Sequence, residues 1–209
     1  MTTELHAYDA SNLEPTRENK KIYAAILDQI RILKPSSVLE VGSGMGMLGD
    51  AISKMGIRYV GLEPDAAQLE LCHQRYPGLN VVDGSCYESP EKYGLGEFDL
   101  VFSTDVIEHL FLPRQLVNFK KAHVRKGGRV LTCTPEFGSY WKNILYSVFN
   151  KWDRVHSPLW DGGHIKFFSR RWMRQIFEEQ GFVDFQWVTV RNVNIPVLPM
   201  SMICSCRRP

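Results

Sequence analysis

Three glycines at alternate positions follow a short apolar segment, and an acidic residue stands two positions ahead of the first. Residues 38–46 read Val-Leu-Glu-Val-Gly-Ser-Gly-Met-Gly, which places Glu40 just before Gly42. Glycine tolerates positive φ and has no side chain, so such a chain can leave a strand sharply and lay its backbone against a ligand. A carboxylate here repels a pyrophosphate but does not repel a ligand that carries an ammonium and a sulfonium group. The segment therefore favours a cationic ligand at the end of a strand.

An overlapping pattern favours a different ligand. Gly44, Gly46 and Gly49 also fit the G-x-G-x-x-G spacing of dinucleotide-binding folds. The first of these glycines lies three residues beyond the expected strand end, and Glu40 stands where a phosphate would approach. A tight strand-to-helix turn without a ligand is the third interpretation of the same residues.

Two further acids follow the next two expected strands. Glu63 ends a strand about twenty residues beyond the glycines, and Asp83 ends the strand after it. A carboxylate in the position of Glu63 accepts hydrogen bonds from both hydroxyls of a ribose. One acid after a strand is often only a turn former, but three acids after three successive strands favour a ligand site.

These residues can meet only if their strands end at one edge of a sheet. Strands and helices are expected to alternate along the chain, and this alternation predicts such a sheet. Because parallel neighbours require crossover helices, the order implies a parallel, doubly wound α/β sheet whose ligands lie beyond the carboxyl ends of the strands. The expected strands are 37–41, 58–62, 79–82, 98–103, 129–133, 182–191 and 200–206, and the expected helices are 16–33, 47–54, 66–75, 113–123 and 169–180.

Three segments resemble the class I S-adenosylmethionine-dependent methyltransferases. Residues 38–46 resemble their motif I, residues 98–110 (Phe-Asp-Leu-Val-Phe-Ser-Thr-Asp-Val-Ile-Glu-His-Leu) resemble the strand-four segment of small-molecule methyltransferases, and residues 127–135 resemble the turn into strand five. The resemblance covers essentially the whole chain. It implies a Rossmann-like, doubly wound, seven-stranded sheet with helices on both faces, a C-terminal antiparallel hairpin, and S-adenosylmethionine as the cofactor.

The resemblance also implies roles for individual residues around the cofactor. Asp83 would meet the adenine amino group, with the backbone amides that follow it on the ring nitrogens, and Ser103 and Thr104 would line the methionine portion. The expected cofactor-binding residues are Glu40, Gly42, Gly44, Gly46, Glu63, Asp83, Ser103 and Thr104.

Within this family the chain resembles the O-methyltransferases of ubiquinone biosynthesis, which carry E-x-x-E-H after strand four and G-T-H before the penultimate helix. The counterparts here are Asp105-Val-Ile-Glu108-His109 and Gly162-Gly163-His164. Small-RNA 2′-O-methyltransferases hold a divalent metal with a similar set. Asp105, Glu108, His109 and His164 are therefore the expected ligands of Mg²⁺ or Zn²⁺, which would lower the pKa of an acceptor hydroxyl.

Two other interpretations of this set stay open. His164 can act as a general base without a metal, with His109 and Glu108 as the other expected catalytic residues. Alternatively Glu108 and His109 only cap and orient a helix start. Asp105 stands where the resemblance expects a glutamate, and its side chain is shorter.

Residues 135–168 form an expected lid inserted after strand five, and they decide the acceptor. An apolar helical stripe within it predicts a pocket for an apolar or aromatic acceptor, or a membrane-surface contact through 140–160. Tyr8 and Arg17 are expected to close over the cofactor. The stripe consists of Tyr140, Trp141, Ile144, Leu145, Val148 and Phe149, with Trp152 and Trp160 nearby.

Composition limits the other functions. A formal net charge of +2 over 209 residues makes no electrostatic case for nucleic acid, and the basic clusters Lys120-Lys121 and Arg170-Arg171 are expected to be solvated helix faces. The five unevenly spaced cysteines predict buried free thiols. We expect one domain over 1–209, with an N-terminal arm and helix over 1–34, in a soluble cytoplasmic protein of open oligomeric state.

The function that these residues predict is transfer of a methyl group to a small-molecule hydroxyl, phenolic, sugar or lipid-linked. The nucleophile attacks in line and a histidine assists its deprotonation. An N-methyltransferase, an RNA ribose methyltransferase and a non-catalytic S-adenosylmethionine-binding module are the alternatives. No Asn/Asp-Pro-Pro-Tyr segment follows strand four, which argues against the enzymes that methylate amino groups of DNA and protein.

Overall fold

The computed structural model describes residues 14–153 and 162–209. Seven strands of this part of the chain form one sheet, in the order β3-β2-β1-β4-β5-β7-β6. The strands are β1 (Ser37–Val41), β2 (Arg58–Glu63), β3 (Val81–Asp83), β4 (Phe98–Thr104), β5 (Val124–Pro135), β6 (Val183–Arg191) and β7 (Pro199–Arg207). The helices are α1 (Arg17–Leu33), α2 (Met47–Ser53), α3 (Ala66–Arg75), α4 (Pro113–His123), α5 (Tyr140–Val148) and α6 (Arg170–Glu178), with short 3-10 turns at Pro90–Tyr93 and Ile107–His109.

The first five strands are parallel, and the last two are antiparallel to their neighbours. The chain builds outward from β1 in one direction through β2 and β3 and then returns to place β4 on the other side of β1. This change of direction leaves a crevice between the carboxyl ends of β1 and β4, where ligands of such sheets bind. The observed topology confirms the predicted Rossmann-like sheet and its C-terminal antiparallel hairpin.

Helices cover both faces of the sheet because alternate strand residues point to opposite sides. Val38 of β1 belongs to a buried cluster with Ile26 of α1, whereas the next residue, Leu39, belongs to a second cluster with Phe177 of α6. Helices α1, α2 and α3 contribute to the first cluster, and α4 and α6 contribute to the second. Cys204 and Cys206 lie in the second cluster. All five cysteines are buried and free, as predicted.

Local signals set the ends of the helices. The Thr16 side chain accepts a hydrogen bond from the Asn19 amide at the start of α1, and the Asp65 carboxylate accepts two amides at the start of α3. Strand β5 begins at Val124, earlier than the predicted 129, because it starts directly where α4 ends. No helix in the described ranges is long and apolar enough to cross a membrane.

Candidate active site

The glycine turn after β1 has the backbone conformation that its sequence predicts. Gly42 has a φ of 77°, and a Cβ at this position would come within 2.4 Å of Val106 Cγ2. The amides of Gly42 and Ser43 both donate to the Leu62 carbonyl, at 2.8 and 2.9 Å, which ties the turn to the end of β2. A side chain at Gly42 would therefore push the turn away from the segment that follows β4.

A cavity of about 820 Å³ opens beyond the carboxyl ends of the parallel strands. This volume lies in the range of sites that enclose a small molecule or cofactor. Its walls come from the turns after four strands and from the start of α1, so distant parts of the sequence meet there. The lining residues include Thr16, Asn19, Tyr23, Glu40, Val41, Gly42, Ser43, Gly44, Glu63, Pro64, Asp65, Gln68, Gly84, Ser85, Cys86, Thr104, Asp105, Val106, His109 and Gly162.

Glu63 lies where the sequence predicts a ribose-binding carboxylate. Its Oε2 accepts a hydrogen bond from the Gly44 amide at 2.6 Å, and its Oε1 accepts one from the Asp65 amide at 2.9 Å. Burial raises the pKa of this carboxyl, and the two backbone hydrogen bonds oppose that rise. Because a carboxylate accepts about four hydrogen bonds, Glu63 retains acceptor capacity for two hydroxyls of a ligand in the cavity.

Glu40 is a nearly buried acid, only 2% exposed, at the bottom of the same cavity. Its Oε2 accepts a hydrogen bond from the Tyr59 hydroxyl at 2.5 Å. Burial, with a smaller contribution from the charge of Glu63, raises the pKa of Glu40 to about 8, although the hydrogen bond from Tyr59 opposes the rise. Burial thus disfavours the ionised form of Glu40, and a cation in the cavity would stabilise that form.

Three residues expected at the cofactor lie away from the cavity. Asp83 is exposed at the end of β3, while the residues after it, beginning with Gly84, line the wall. A Cβ at Gly46 would come within 2.5 Å of Cys72 Sγ, so Gly46 serves packing against α3. Ser103 is fully buried and points into the core, where its Oγ accepts from Lys120 Nζ at 2.8 Å. The cavity is lined by the next residue, Thr104.

Lys120 is a correction to the predicted solvated helix face, because its side chain is fully buried. The ammonium donates to Ser103 Oγ, to Thr132 Oγ1 at 2.7 Å and to the Leu131 carbonyl at 2.6 Å. Burial lowers the pKa of Lys120 to about 7. The Lys-Lys pair gave no sign of this, since a lysine on the inner face of a helix is indistinguishable by type from its exposed neighbour.

On the acceptor side of the cavity, the fold brings together Glu108, His109 and His164. One potential ligand atom from each lies within 4.8 Å of the other two, and the two imidazole rings meet edge to face with centroids 4.9 Å apart. The Glu108 carbonyl accepts the amides of Ile165 and Lys166, at 3.0 and 2.9 Å. This backbone contact places His164 beside a segment that is more than fifty residues earlier in the chain.

The carboxyl groups beside the two histidines share a buried position. Glu108 Oε2 accepts a hydrogen bond from Thr134 Oγ1 at 3.0 Å. Burial and the neighbouring Asp105 raise the pKa of Glu108, and burial raises the pKa of Asp105 to about 6. Burial also lowers the pKa of His109, whose Nδ1 lies 3.4 Å from the Gly163 carbonyl oxygen. A neutral imidazole in this position can accept a proton or bind a metal.

The expected four-residue metal set is reduced to three in the described structure. Glu108, His109 and His164 form the cluster, while Asp105 lies outside it with a φ of 52°. Two imidazoles and one carboxylate suit Zn²⁺ better than Mg²⁺, which prefers oxygen ligands in octahedral geometry. Within 14–153 and 162–209, these three residues form the cluster whose side chains could hold a metal ion.

Helix α5 does not pack its apolar stripe over the cavity. Tyr140, Trp141 and Val148 are about 70% exposed, at 71%, 69% and 70%. The inward residue is instead Lys142, whose Nζ donates to the Glu136 carbonyl at 2.6 Å and whose pKa is lowered by burial to about 8. Contact of this exposed face with a membrane or an acceptor stays a prediction.

The remaining expectations concern the edges of the cavity. Tyr8 and Trp160 lie outside the described residues. Arg17 is exposed on α1, and the polar residues that α1 brings to the cavity are Thr16, Asn19 and Tyr23. Tyr59, the partner of Glu40, was missed by sequence reasoning because a tyrosine in an apolar strand looks like an ordinary core residue.

Comparison with known proteins connects this geometry to a family. A family model described as a methyltransferase domain matches residues 14–186. A probable S-adenosylmethionine-dependent methyltransferase of Mycolicibacterium smegmatis is 35% identical over 98 residues, which is 47% of this chain and 37% of that protein. A ubiquinone biosynthesis O-methyltransferase of Erwinia tasmaniensis is 30% identical over 101 residues, covering 46% of this chain and 41% of the relative. The matches thus span about two fifths of these relatives' length.

Solved structures share the fold across nearly the whole chain. A methyltransferase of Archaeoglobus fulgidus superposes with a TM-score of 0.68 over 90% of this chain and 94% of its own, at 15% identity. Magnesium protoporphyrin IX methyltransferase of Synechocystis PCC 6803, solved with bound S-adenosylhomocysteine (SAH), superposes with a TM-score of 0.70 over 94% of this chain and 89% of its own, at 13% identity. At these identities the likeness concerns the fold alone.

Proposed function

The chain belongs to the family of S-adenosylmethionine-dependent methyltransferase domains, and from this premise we propose that it transfers a methyl group from S-adenosylmethionine to a hydroxyl group of a small molecule. The observation that carries the proposal is one cavity lined both by the ribose-type carboxylate Glu63 and by His109, which forms a cluster with His164 and Glu108. Cofactor and acceptor would meet inside it.

The cofactor half of the cavity suits each part of S-adenosylmethionine. Glu63 would accept the ribose hydroxyls, and the backbone after Asp83 would face the adenine. Glu40 offers a buried carboxyl group to the ammonium of the methionine portion, and Thr104 lies on the same wall. The sulfonium and ammonium bring two positive charges to the wall that carries Glu40 and Glu63, which favours this ligand over a dinucleotide.

The acceptor half supplies a base. A hydroxyl must lose its proton as its oxygen attacks, whereas a neutral amine attacks with its lone pair, so a half-buried pair of histidines favours a hydroxyl acceptor. The acceptor oxygen forms a bond to the methyl carbon while the carbon–sulfur bond breaks, and the sulfur keeps the electron pair. The hydroxyl proton goes to the imidazole of His164, with His109 beside it and the Glu108 carboxyl group behind it.

A metal-assisted version uses the same residues. Glu108, His109 and His164 would hold a divalent metal, and their nitrogen-rich set favours Zn²⁺. When bound, such an ion lowers the pKa of an acceptor hydroxyl. The chain's own residues would then position the hydroxyl, and another base would take the proton.

A methyl-transfer assay with isotopically labelled S-adenosylmethionine and a panel of phenols, sugars, lipid-linked alcohols and amines tests the proposal. We expect label in a hydroxyl compound and resistance of the product to conditions that cleave methyl esters. Adding and removing Zn²⁺ distinguishes the metal-assisted mechanism from the mechanism in which His164 is the base. Label only in amines, or no transfer by a protein that binds the cofactor, would contradict the proposal.

A further inference from the structure

A second cavity, of about 520 Å³, lies beyond the last residues of β5 and between the starts of α5 and α6. We call it the arginine cavity and define it by Glu136, Arg170, Arg171, Thr189 and Arg191, all of which line it. It is separate from the cofactor cavity, and the function proposed above does not use it. Its walls come from three parts of the chain that the fold brings together.

The charges in the arginine cavity are unbalanced. Arg170 is paired with the Glu136 carboxylate, at 3.2 Å between Nε and Oε2, and it also donates to Thr189 Oγ1. Within 14–153 and 162–209, neither Arg171 nor Arg191 forms an ion pair; the Arg191 guanidinium donates only to the Pro196 carbonyl, at 3.4 Å. The lining of the cavity thus holds one carboxylate and three arginines, of which Arg171 and Arg191 are exposed, and this leaves an excess of two positive charges.

We propose that the arginine cavity binds a phosphate group of the methyl acceptor, an inference that rests on the proposed function. Guanidinium groups bind phosphate through charge-assisted hydrogen bonds. Here they project from α6 and from the end of β6, so their donors approach from different directions. A phosphate offers three oxygens to such separated donors, whereas a carboxylate fits the fork of one guanidinium.

The starts of two helices add backbone donors to the same cavity. Ser139 precedes α5 and Ser169 precedes α6, and both line the cavity. The Ser169 side chain makes no capping hydrogen bond, so the first amides of α6 keep their donors available. These amides and the helix dipoles favour an anion beside the guanidinium groups.

The link to the acceptor follows from the segment that joins the two sites. His164 lies five residues before Ser169, and five residues span at most about 18 Å. The segment is held at both ends: Glu108 accepts the amides of Ile165 and Lys166, and the Phe168 carbonyl accepts the Phe137 amide at 3.1 Å. The two sites are therefore at most about 18 Å apart along this segment, and the acceptor that we propose spans the distance between them with its reacting hydroxyl at one end and its phosphate group at the other.

The site is tested by titrating the full chain with inorganic phosphate and recording ¹H–¹⁵N NMR spectra at constant ionic strength. We expect saturable shifts of the amides of Arg170 and Arg171, and weaker binding of acetate. Arg171→Gln and Arg191→Gln should each weaken phosphate binding about tenfold, since each removes charge-assisted hydrogen bonds. Arg174→Gln is the matched control, because Arg174 lies on the same helix but pairs with Glu178 at 2.9 Å.

Three results would overturn the inference. The first is the absence of saturable shifts, and the second is equal weakening by Arg174→Gln. The third is acetate binding as tight as phosphate, which would assign the cavity to carboxylates. Circular dichroism of each variant shows whether it is folded, and a variant that is unfolded is replaced by the corresponding lysine substitution, which keeps the charge and removes the fork.

A kinetic arm separates this inference from the proposed function. Inorganic phosphate should inhibit methyl transfer competitively with the acceptor and not with S-adenosylmethionine. Cofactor binding by Arg171→Gln should match the wild type. If phosphate binds without competing with the acceptor, the cavity serves another ligand and the inference fails. If S-adenosylmethionine itself does not bind, the proposed function fails whatever the phosphate titration gives.

Discussion

Binding of S-adenosylmethionine should release a proton from Glu40, and replacing this residue by glutamine should abolish the release. In the empty cavity, burial raises the pKa of Glu40 to about 8. An ammonium placed against the carboxylate favours its charged form and lowers the pKa again. The bound state therefore carries one proton fewer than the free state whenever the pH lies between the two pKa values.

The size of the effect follows from those two values. At pH 6.5, a carboxyl group with a pKa of about 8 is protonated in roughly 97% of molecules, and one near its ordinary value of 4.5 in roughly 1%. Cofactor binding at this pH should release about one proton per site. The apparent affinity should rise with pH from 5 toward 7, because less work is needed to remove the proton.

Calorimetry in two buffers of different ionisation enthalpy counts the released protons, since the difference in observed heat is proportional to their number. Glu40→Gln preserves size and the acceptor for the Tyr59 hydroxyl, and it should release none. Tyr59→Phe is the control: it keeps the carboxyl group and removes a hydrogen bond that lowers its pKa, so the release should persist. Wild-type binding without proton release, or undiminished release by Glu40→Gln, would refute the reasoning.

Three further predictions concern substitutions of single residues. Gly42→Ala should lower the free energy of unfolding by about 2–4 kcal/mol and weaken cofactor binding, because the new Cβ meets Val106. Gly56→Ala is the control, since Gly56 has a similar φ of 78° but lies in open space, and it should lower the free energy of unfolding by about 1 kcal/mol. Equal losses for the two variants in urea denaturation would contradict the clash with Val106. His164→Ala should reduce turnover about 100-fold or more with the cofactor affinity kept, and unchanged turnover would remove His164 as the base. Lys120 has a lowered pKa in the fold, so between pH 7 and 10 the wild type should gain up to about 1.4 kcal/mol of stability per pH unit relative to Lys120→Met. Parallel pH profiles of the two proteins would show that folding does not lower the pKa of Lys120.

Sequence patterns predicted the strands and helices well because each element obeys a local rule. The Asp65 cap starts α3 at the predicted residue, and the apolar spacing of Ile22, Ile26 and Ile30 buries one face of α1. The glycine turn and the position of Glu63 were also predictable, since both follow from where a parallel strand must end.

The features that the sequence patterns did not indicate depend on contacts between distant segments. Ser103 and Thr104 are neighbours on β4, and Ser103 is the one on the face where Lys120 of α4 donates to its Oγ. The pairing of Tyr59 with Glu40 depends on the register between β1 and β2. On α5 the buried residue is Lys142, which donates to the Glu136 carbonyl, while Tyr140, Trp141 and Val148 are exposed.

The central claim is that the cavity beyond β1, β2 and β4 binds S-adenosylmethionine, and calorimetric titration of the protein with this cofactor tests it most directly. We predict that the wild type binds, and that Glu63→Ala weakens binding about 10- to 100-fold through loss of two charge-assisted hydrogen bonds to the ribose. Glu63→Gln should weaken it less, and Glu70→Ala, on the exposed side of α3, should leave it unchanged. No binding by the folded wild type, or equal affinity of Glu63→Ala, would contradict the claim.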